Sequence, residues 1–485
     1  MTTPSYRAAR PAALLVAVLF ASSCGFEQNP VTRERVARDV ATYTLDQFLT
    51  TTAMSGASFS PDGEKVLVSS NESGIFNAYA IRVDGGPPER LTDSEESVFV
   101  QGYFPTDERF LYLSDRGGNE LHHLYVREVD GSVRDLTPGD PVKASFAGWS
   151  EDERSFHVLT NERDPRFFDL YRYDAATYAR EMIYRNEEGL DVGAISRDGR
   201  WLALSESNTT NDSDIWLLDR ETGERTKLTA HEGDEANAPQ TFSPDGRYLY
   251  FTSDRDSEFA RLVRHELATG ERTVVYEPGW DVWWASFSRD GRWFVTGANV
   301  DARTRVVVRD ARTMRVARLP ELPGDPTALT FDRTGDLVAF YASGSRFPAD
   351  LFVHRLGTGD VHRLTSNLNP AIDAEHLVEG EVARFASYDG LEVPGILYVP
   401  HEASEERPVP GLVWVHGGPG GQSRIGYSSV IQYLVNHGYA VYAINNRGSS
   451  GYGKTFFKAD DRVHGVADLD DVVESRKLLM ATGVA

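Results

Sequence analysis

At 485 residues the chain is longer than one hydrophobic core usually supports, so two or more domains are expected. Its 73 acidic against 50 basic residues leave a net charge of −23, which argues against DNA or RNA as a partner, because binding phosphate needs clustered Lys and Arg. A single cysteine rules out an internal disulfide.

Arg7 and Arg10 precede an apolar run, Pro11 to Phe20, and a small-residue end, Ala21-Ser22-Ser23-Cys24. This is the three-part plan of a secretory signal, and the run is too short to span the roughly 30 Å of a bilayer core. A sole cysteine at that place resembles a bacterial lipoprotein signal, in which Cys24 becomes the lipidated first residue; Ala21 stands where such signals usually have Leu. The resemblance implies a signal over residues 1–23 and a lipid anchor in the cell envelope, periplasmic or at the outer membrane. Residues 24–50 read as a linker, with Tyr43 to Phe48 docking on the domain that follows.

From Thr51 the chain repeats. Phe59-Ser-Pro-Asp-Gly63 recurs as Phe242-Ser-Pro-Asp-Gly246 and Phe287-Ser-Arg-Asp-Gly291, with weaker copies at Ile195 to Gly199 and Phe331 to Gly335. Tyr103 to Glu108 and Gly148 to Glu153 fill the gaps without the glycine. Asp62, Asp107, Asp152, Asp198, Asp245, Asp290 and Thr334 then stand 44 to 47 residues apart, marking seven units. In each unit an apolar strand ends in the turn, two more strands follow, and a fourth often closes in Leu-Thr, as at Leu91-Thr92, Leu136-Thr137, Leu228-Thr229 and Leu364-Thr365. Asp-Gly suits a tight hairpin because both residues tolerate positive φ. Four strands in about 40 to 45 residues make one blade of a β-propeller, and a blade cannot bury both faces alone, so the units stack in a ring. Residues 51–377 therefore read as a seven-bladed β-propeller. In the second unit, Asp115 to Tyr125 reads as a blade loop and strand; the alternative has Glu120 facing the channel.

The period stops after Thr365, and Asn367 to Ala374 reads as a linker. Val382 to Tyr388 and Leu391 to Val399 form a hairpin about Asp389-Gly390. Leu412 to Val415 is an apolar run of strand length that breaks into His416, Gly417, Gly418, Pro419 and Gly420, where the lack of Cβ atoms lets the backbone pass close to another group. Tyr427 to Asn436 has helical apolar spacing and stops at His437-Gly438. Tyr439 to Ile444 is the next strand, Asn445 to Gly453 a glycine-rich loop, and Asp468 to Met480 a helix. Strands alternating with helices point to a parallel α/β sheet. Gly451-Tyr-Gly-Lys-Thr455 lacks the glycine spacing of a P-loop, and the 12 histidines are scattered, so neither a cofactor nor a metal is expected.

Three stretches, Val415 to Gly420, Asn445 to Gly453 and Gly465 to Asp471, together with the propeller before them, resemble the prolyl oligopeptidase family of serine peptidases, nearest its acylaminoacyl-peptidase and dipeptidyl-peptidase branch. The resemblance implies that residues 378–485 are the N-terminal part of an α/β-hydrolase domain. It implies that Gly418 lends its N–H to an oxyanion hole, that His416, Gly417 and Pro419 shape that turn, and that His416 is not the triad histidine. It also makes Glu120 a candidate for substrate binding, short peptides the substrate class, and the propeller channel a filter for size.

The departure from the family falls on the mechanism. Acyl transfer on this fold needs Gly-x-Ser-x-Gly, then an acid, then His. No Gly-x-Ser-x-Gly occurs in the 485 residues, and Ser423 and Ser449 sit among glycines at the wrong spacing. The resemblance places the catalytic Ser, Asp and His beyond Ala485. The chain is then expected to be a truncated copy or a fragment, inactive as it stands, with residues 378–485 poorly packed and Leu412 to Val415 an exposed edge. The other reading is a binding or scaffold propeller of the cell envelope, similar to that of the Tol system, with a hydrolase remnant that does no chemistry.

Overall fold

The computed structural model describes residue 31, residues 33–418 and residues 420–485. Cys24, the signal-like run and Pro419 lie outside them. Among the described residues no helix is long and apolar enough to cross a membrane.

Seven four-stranded antiparallel sheets occupy residues 54–90, 99–135, 144–184, 191–227, 237–276, 282–317 and 325–363, numbered here as blades 1 to 7. Each is built from four consecutive strands, so among the described residues none is exchanged between the first blade and the last. The ring closes by packing. Phe59, Val66 and Val68 of blade 1 share a core with Ala339, Tyr341 and Leu351 of blade 7, and the Tyr341 hydroxyl donates to Gly56 O at 2.7 Å.

The repeated residues each do a mechanical job. Ser60 Oγ donates to Asp62 Oδ1 at 2.6 Å and accepts from the Lys65 N–H at 2.9 Å, which locks the hairpin. The same serine–aspartate bond recurs at Ser150–Asp152, Ser196–Asp198, Ser243–Asp245 and Ser288–Asp290. The Leu-Thr signature has a similar cause. The hydroxyls of Thr92, Thr137, Thr229 and Thr365 accept the N–H groups of Ala78, Leu124, Ile215 and Leu351 at 2.8 to 2.9 Å, where the short fourth strand has stopped pairing.

Residues Tyr43 to Phe48 do not dock on the ring. Helix α1 (Leu45–Leu49), closed by a capping box between Thr44 and Gln47, lies against helix α2 (Ser429–Asn436) of the hydrolase portion. Phe48 is fully buried with Tyr43, Ile372 and Leu377, and Tyr433 meets its ring edge-on at 5.9 Å. The Tyr43 N–H donates to Asn436 Oδ1 at 2.8 Å. The aromatic pair packs where an apolar helix face needs covering; the blades already cover one another.

The hydrolase portion forms one sheet, in the order Glu381–Ala386, Glu392–Tyr398, Ala440–Ile444, Gly411–Val415. Sequence reasoning expects a parallel sheet, but only the last two strands run parallel, joined by the α2 crossover; the hairpin of the first two adds antiparallel pairs. The helix expected over Asp468 to Met480 is two, α4 (Ala467–Glu474) and α5 (Arg476–Ala481), separated at Ser475, whose hydroxyl donates back to Val472 O at 2.7 Å. Both sheet faces are covered. Val393, Leu397, Tyr442 and Ile444 pack under Leu478 and Leu479, while Ile396, Val441 and Ala443 pack against Ile431 and Val435. Poor packing of the whole portion is therefore not what the structure shows, because two central strands hold a core on each side. Large apolar side chains stay exposed at Val415 on the edge strand, at Val463, Val466, Leu469, Val473 and Met480 on α4, α5 and their approach, and singly at Tyr388, Val430 and Tyr439.

Candidate active site

The edge strand delivers His416, Gly417 and Gly418 at the carboxyl end of the sheet, where ligands of open α/β sheets bind. Gly418 adopts φ +62°, a left-handed conformation that favours glycine, and open space lies where its Cβ would be. Among the described residues its N–H has no hydrogen-bond partner. The turn then folds tightly back: the Gly421 N–H donates to Gly418 O at 3.1 Å, and a Cβ at Gly421 would stand 2.4 Å from Gly417 O.

His416 is held from behind. The Ser449 hydroxyl donates to Asn446 O at 2.6 Å, which uses its only hydrogen. The 2.8 Å contact between Ser449 Oγ and His416 Nε2 therefore carries an Nε2–H donated by the imidazole. Burial pushes the His416 pKa down, in keeping with that neutral tautomer. Through Ser449, His416 is tied to the glycine-rich loop at Asn446. Ser423, buried, donates through Oγ to Ile444 O at 3.3 Å, so both serines of the glycine-rich segments serve backbone carbonyls.

The glycine-rich loop is pinned by two of its own side chains. Asn445 accepts the Ser423 N–H at 2.6 Å and donates to Ser423 O and to the Tyr452 hydroxyl, each at 3.0 Å. Arg447 forks onto the fully buried Asp471, Nε to Oδ2 and Nη2 to Oδ1, both at 2.9 Å. Its remaining edge holds Asp389 at 2.9 and 3.1 Å, and Ser387 Oγ donates to Asp471 Oδ1 at 2.6 Å. The bonds to Asp471 raise the Arg447 pKa, and Arg447 holds the Asp389 carboxyl below its usual range. The second and third motifs read in the sequence are thus two halves of one clamp. Their spelling was visible, but nothing in the spacing said that Arg447 meets Asp471.

Just past the turn, the chain faces the propeller. Gln422 Oε1 accepts from Asn299 Nδ2 at 2.9 Å, and Arg424 donates to Asn299 Oδ1 at 2.5 Å and to Thr304 Oγ1 at 2.8 Å. The Arg424 guanidinium lies 4.2 Å over the Trp283 ring, and burial lowers its pKa. Helix α3 (Lys454–Phe457) docks beside it, with Thr455 on Glu258 and Lys454 on Asp254. These interface residues carried no sequence signal. Glu120 lies in the turn between the second and third strands of blade 2, exposed, at φ +61°, its N–H on Asp115 Oδ2 at 2.8 Å. Among the described residues no hydrogen bond, ion pair or ring contact joins it to the turn at residues 416–421. Asp460, His464 and Asp468 bring three potential metal-ligand side chains together, with His464 Nδ1 at 2.9 Å from Asp460 and 3.6 Å from Asp468.

Residues 88–362 match the family described as prolyl oligopeptidase, N-terminal beta-propeller domain, and residues 425–485 match the prolyl oligopeptidase family. The chain belongs to the prolyl oligopeptidase family. It is similar to dipeptidyl aminopeptidase BIII of Pseudoxanthomonas mexicana, 27% identical over 88% of this chain and 64% of that protein. It is also similar to dipeptidyl peptidase family member 6 of Caenorhabditis elegans, 20% identical over 89% of this chain and 64% of that protein. The chain thus spans less than two thirds of either relative. A puromycin-hydrolyzing peptidase of Mycobacterium tuberculosis shares the fold, with a TM-score of 0.75 at 18% identity over 94% of this chain and 75% of that one.

Proposed function

We propose that the chain carries the propeller and the oxyanion-turn part of a serine peptidase that cleaves short peptides through an acyl-enzyme. The observation that supports this best is the Gly418 N–H, unpaired among the described residues, in open space at the end of a strand, with His416 fixed behind it. A backbone donor aimed at a developing oxyanion contributes about 10²–10³ in kcat. The nucleophile, acid and base are not among these 485 residues, so the chain by itself binds and does not hydrolyse. Relatives named as a dipeptidyl aminopeptidase and a puromycin-hydrolyzing peptidase favour small peptides and peptide-like amides as substrates. Glu120, exposed in a blade turn, offers a carboxylate to a cationic substrate end. Cys24 carries the lipid that anchors the protein in the cell envelope.

Fluorophosphonate labelling tests the reading. The native gene product is expected to react and the 485-residue chain to stay unlabelled. Labelling of the 485-residue chain, or a native product with a Gly-x-Ser-x-Gly that fails to react, would overturn it. A coding sequence that stops after Ala485 favours the envelope scaffold instead. For the anchor, a palmitate analogue is expected to label the wild type in cells and to spare Cys24→Ala.

A further inference from the structure

The seven turns between first and second strands lie on the ring face away from residues 378–485, which bond to the opposite strand ends through Glu258, Asp301 and Ser345. Five of these turns place glycine at the left-handed position: Gly63, Gly199, Gly246, Gly291 and Gly335, all at φ +67° to +75°. Blade 3 places Glu153 there, at φ +61°. A side chain in that region is strained and persists where its surroundings hold it.

What holds Glu153 lies across the ring. Its Oε1 meets Arg289 Nε and its Oε2 meets Arg333 Nη2, both at 2.8 Å. Those arginines come from the equivalent turns of blades 6 and 7, each three places from blade 3, the widest separation a seven-membered ring offers. Arg289 also donates to Ser150 O at 3.0 Å, Arg333 to Pro105 O of blade 2, and Arg197 of blade 4 to Ser288 O of blade 6 at 2.9 Å. Glu153, Arg289 and Arg333 line a cavity of about 260 Å³ together with Ser58, Gln101 and Ser286, and a second of about 640 Å³ that Ser286 also lines.

We propose that Glu153, with Arg289 and Arg333, latches the outer mouth of the propeller, so that peptides do not enter along the ring axis. The domain contacts supply the other route. Blades 5, 6 and 7 bond to residues 378–485, and Lys458 pairs with Asp234 in the loop between blades 4 and 5, whereas among the described residues the sheets of blades 2 to 4 make no hydrogen bond, ion pair or ring contact with them. Substrate then reaches Gly418 from the side of blades 2 to 4, where Glu120 stands. This second step rests on the peptidase reading; the latch does not.

Two half-exposed ion pairs bias the mouth shut by a factor of about 2 to 30. The test places a cysteine inside the cavity, Ser286→Cys in a Cys24→Ser background, and compares N-ethylmaleimide with a polymer-linked maleimide. The polymer reagent is expected to react about 2- to 30-fold faster once Glu153→Gly opens the mouth, with the small reagent little changed. Arg289→Ser/Arg333→Ser is expected to do the same, and high salt to speed the parent but not the variants. Equal polymer rates with and without Glu153 overturn the latch. In the native gene product, unchanged kcat/KM for short peptides on opening supports lateral entry, and a several-fold rise overturns it. The labelling result stands even if no peptidase activity is found.

Discussion

The propeller and the hydrolase portion are held by different kinds of contact. In the propeller the same bonds recur: a serine on an aspartate two residues on, a threonine on an N–H about fourteen residues back. In the hydrolase portion the decisive bonds occur once and reach far. Arg447 meets Asp471 at 24 positions and Asp389 at 58, and Tyr43 meets Asn436 at 393. A repeated local bond can be lost in one copy while the others stand. A single long-range clamp cannot.

Breaking the clamp should therefore have the largest effect. Arg447→Ala leaves Asp471 buried and uncompensated, at a cost of about 3–5 kcal/mol. In calorimetry the hydrolase portion is expected to melt earlier and the propeller transition to stay put. If both transitions move together, the two regions are one cooperative unit and the contrast fails.

Acid should sharpen the contrast from the propeller side. Burial pushes His157 of blade 3 and His265 of blade 5 down to about 4 from an ordinary value near 6.5. Both are neutral in the fold and take up a proton on unfolding, so the unfolded chain binds more protons between pH 6.5 and 4. Stability contributed by the neutral rings is full above about 6.5 and is lost as pH falls toward 4, by about 1.4 kcal/mol per pH unit for each histidine. Denaturant titrations at several pH values are expected to show that slope in the propeller transition, and His157→Gln to halve it.

Smaller effects come next. In an active gene product, His416→Ala is expected to lower kcat about 10- to 100-fold with KM held, because the turn loses its support and the substrate loses no contact. Ser60→Ala removes one of the five turn locks and is expected to cost about 1 kcal/mol, read as a shift in the denaturation midpoint.

The same difference explains how much could be read from the sequence. The ring was legible because its causes repeat: Ser-x-Asp and Leu-Thr recur at a period of 44 to 47 residues, and each recurrence is a strand end. The glycine turn was legible because His416 to Gly418 breaks an apolar run of strand length. The clamp was spelled but not assembled, since Arg447, Asp389 and Asp471 stand in separate motifs with no period to pair them. Glu153 stood out only as a missing glycine; that it reaches Arg289 and Arg333 depends on ring closure. The docking of Phe48 depended on which surface was still uncovered, which composition cannot say.

The stretch ahead of the propeller, Val31 and residues 33–50, has a temporal side. Val31 packs in the same core as Leu478 and Leu479, and Tyr43 bonds to Asn436, so both flanks of the propeller complete one module. On the ribosome the first flank emerges 393 positions ahead of its partner, which at about 5–20 residues per second is a wait of about 20–80 s. All seven blades are synthesised while Tyr43 and Phe48 still lack Asn436 and Tyr433 to pack against. The order of synthesis thus leaves this module open until its second flank is made.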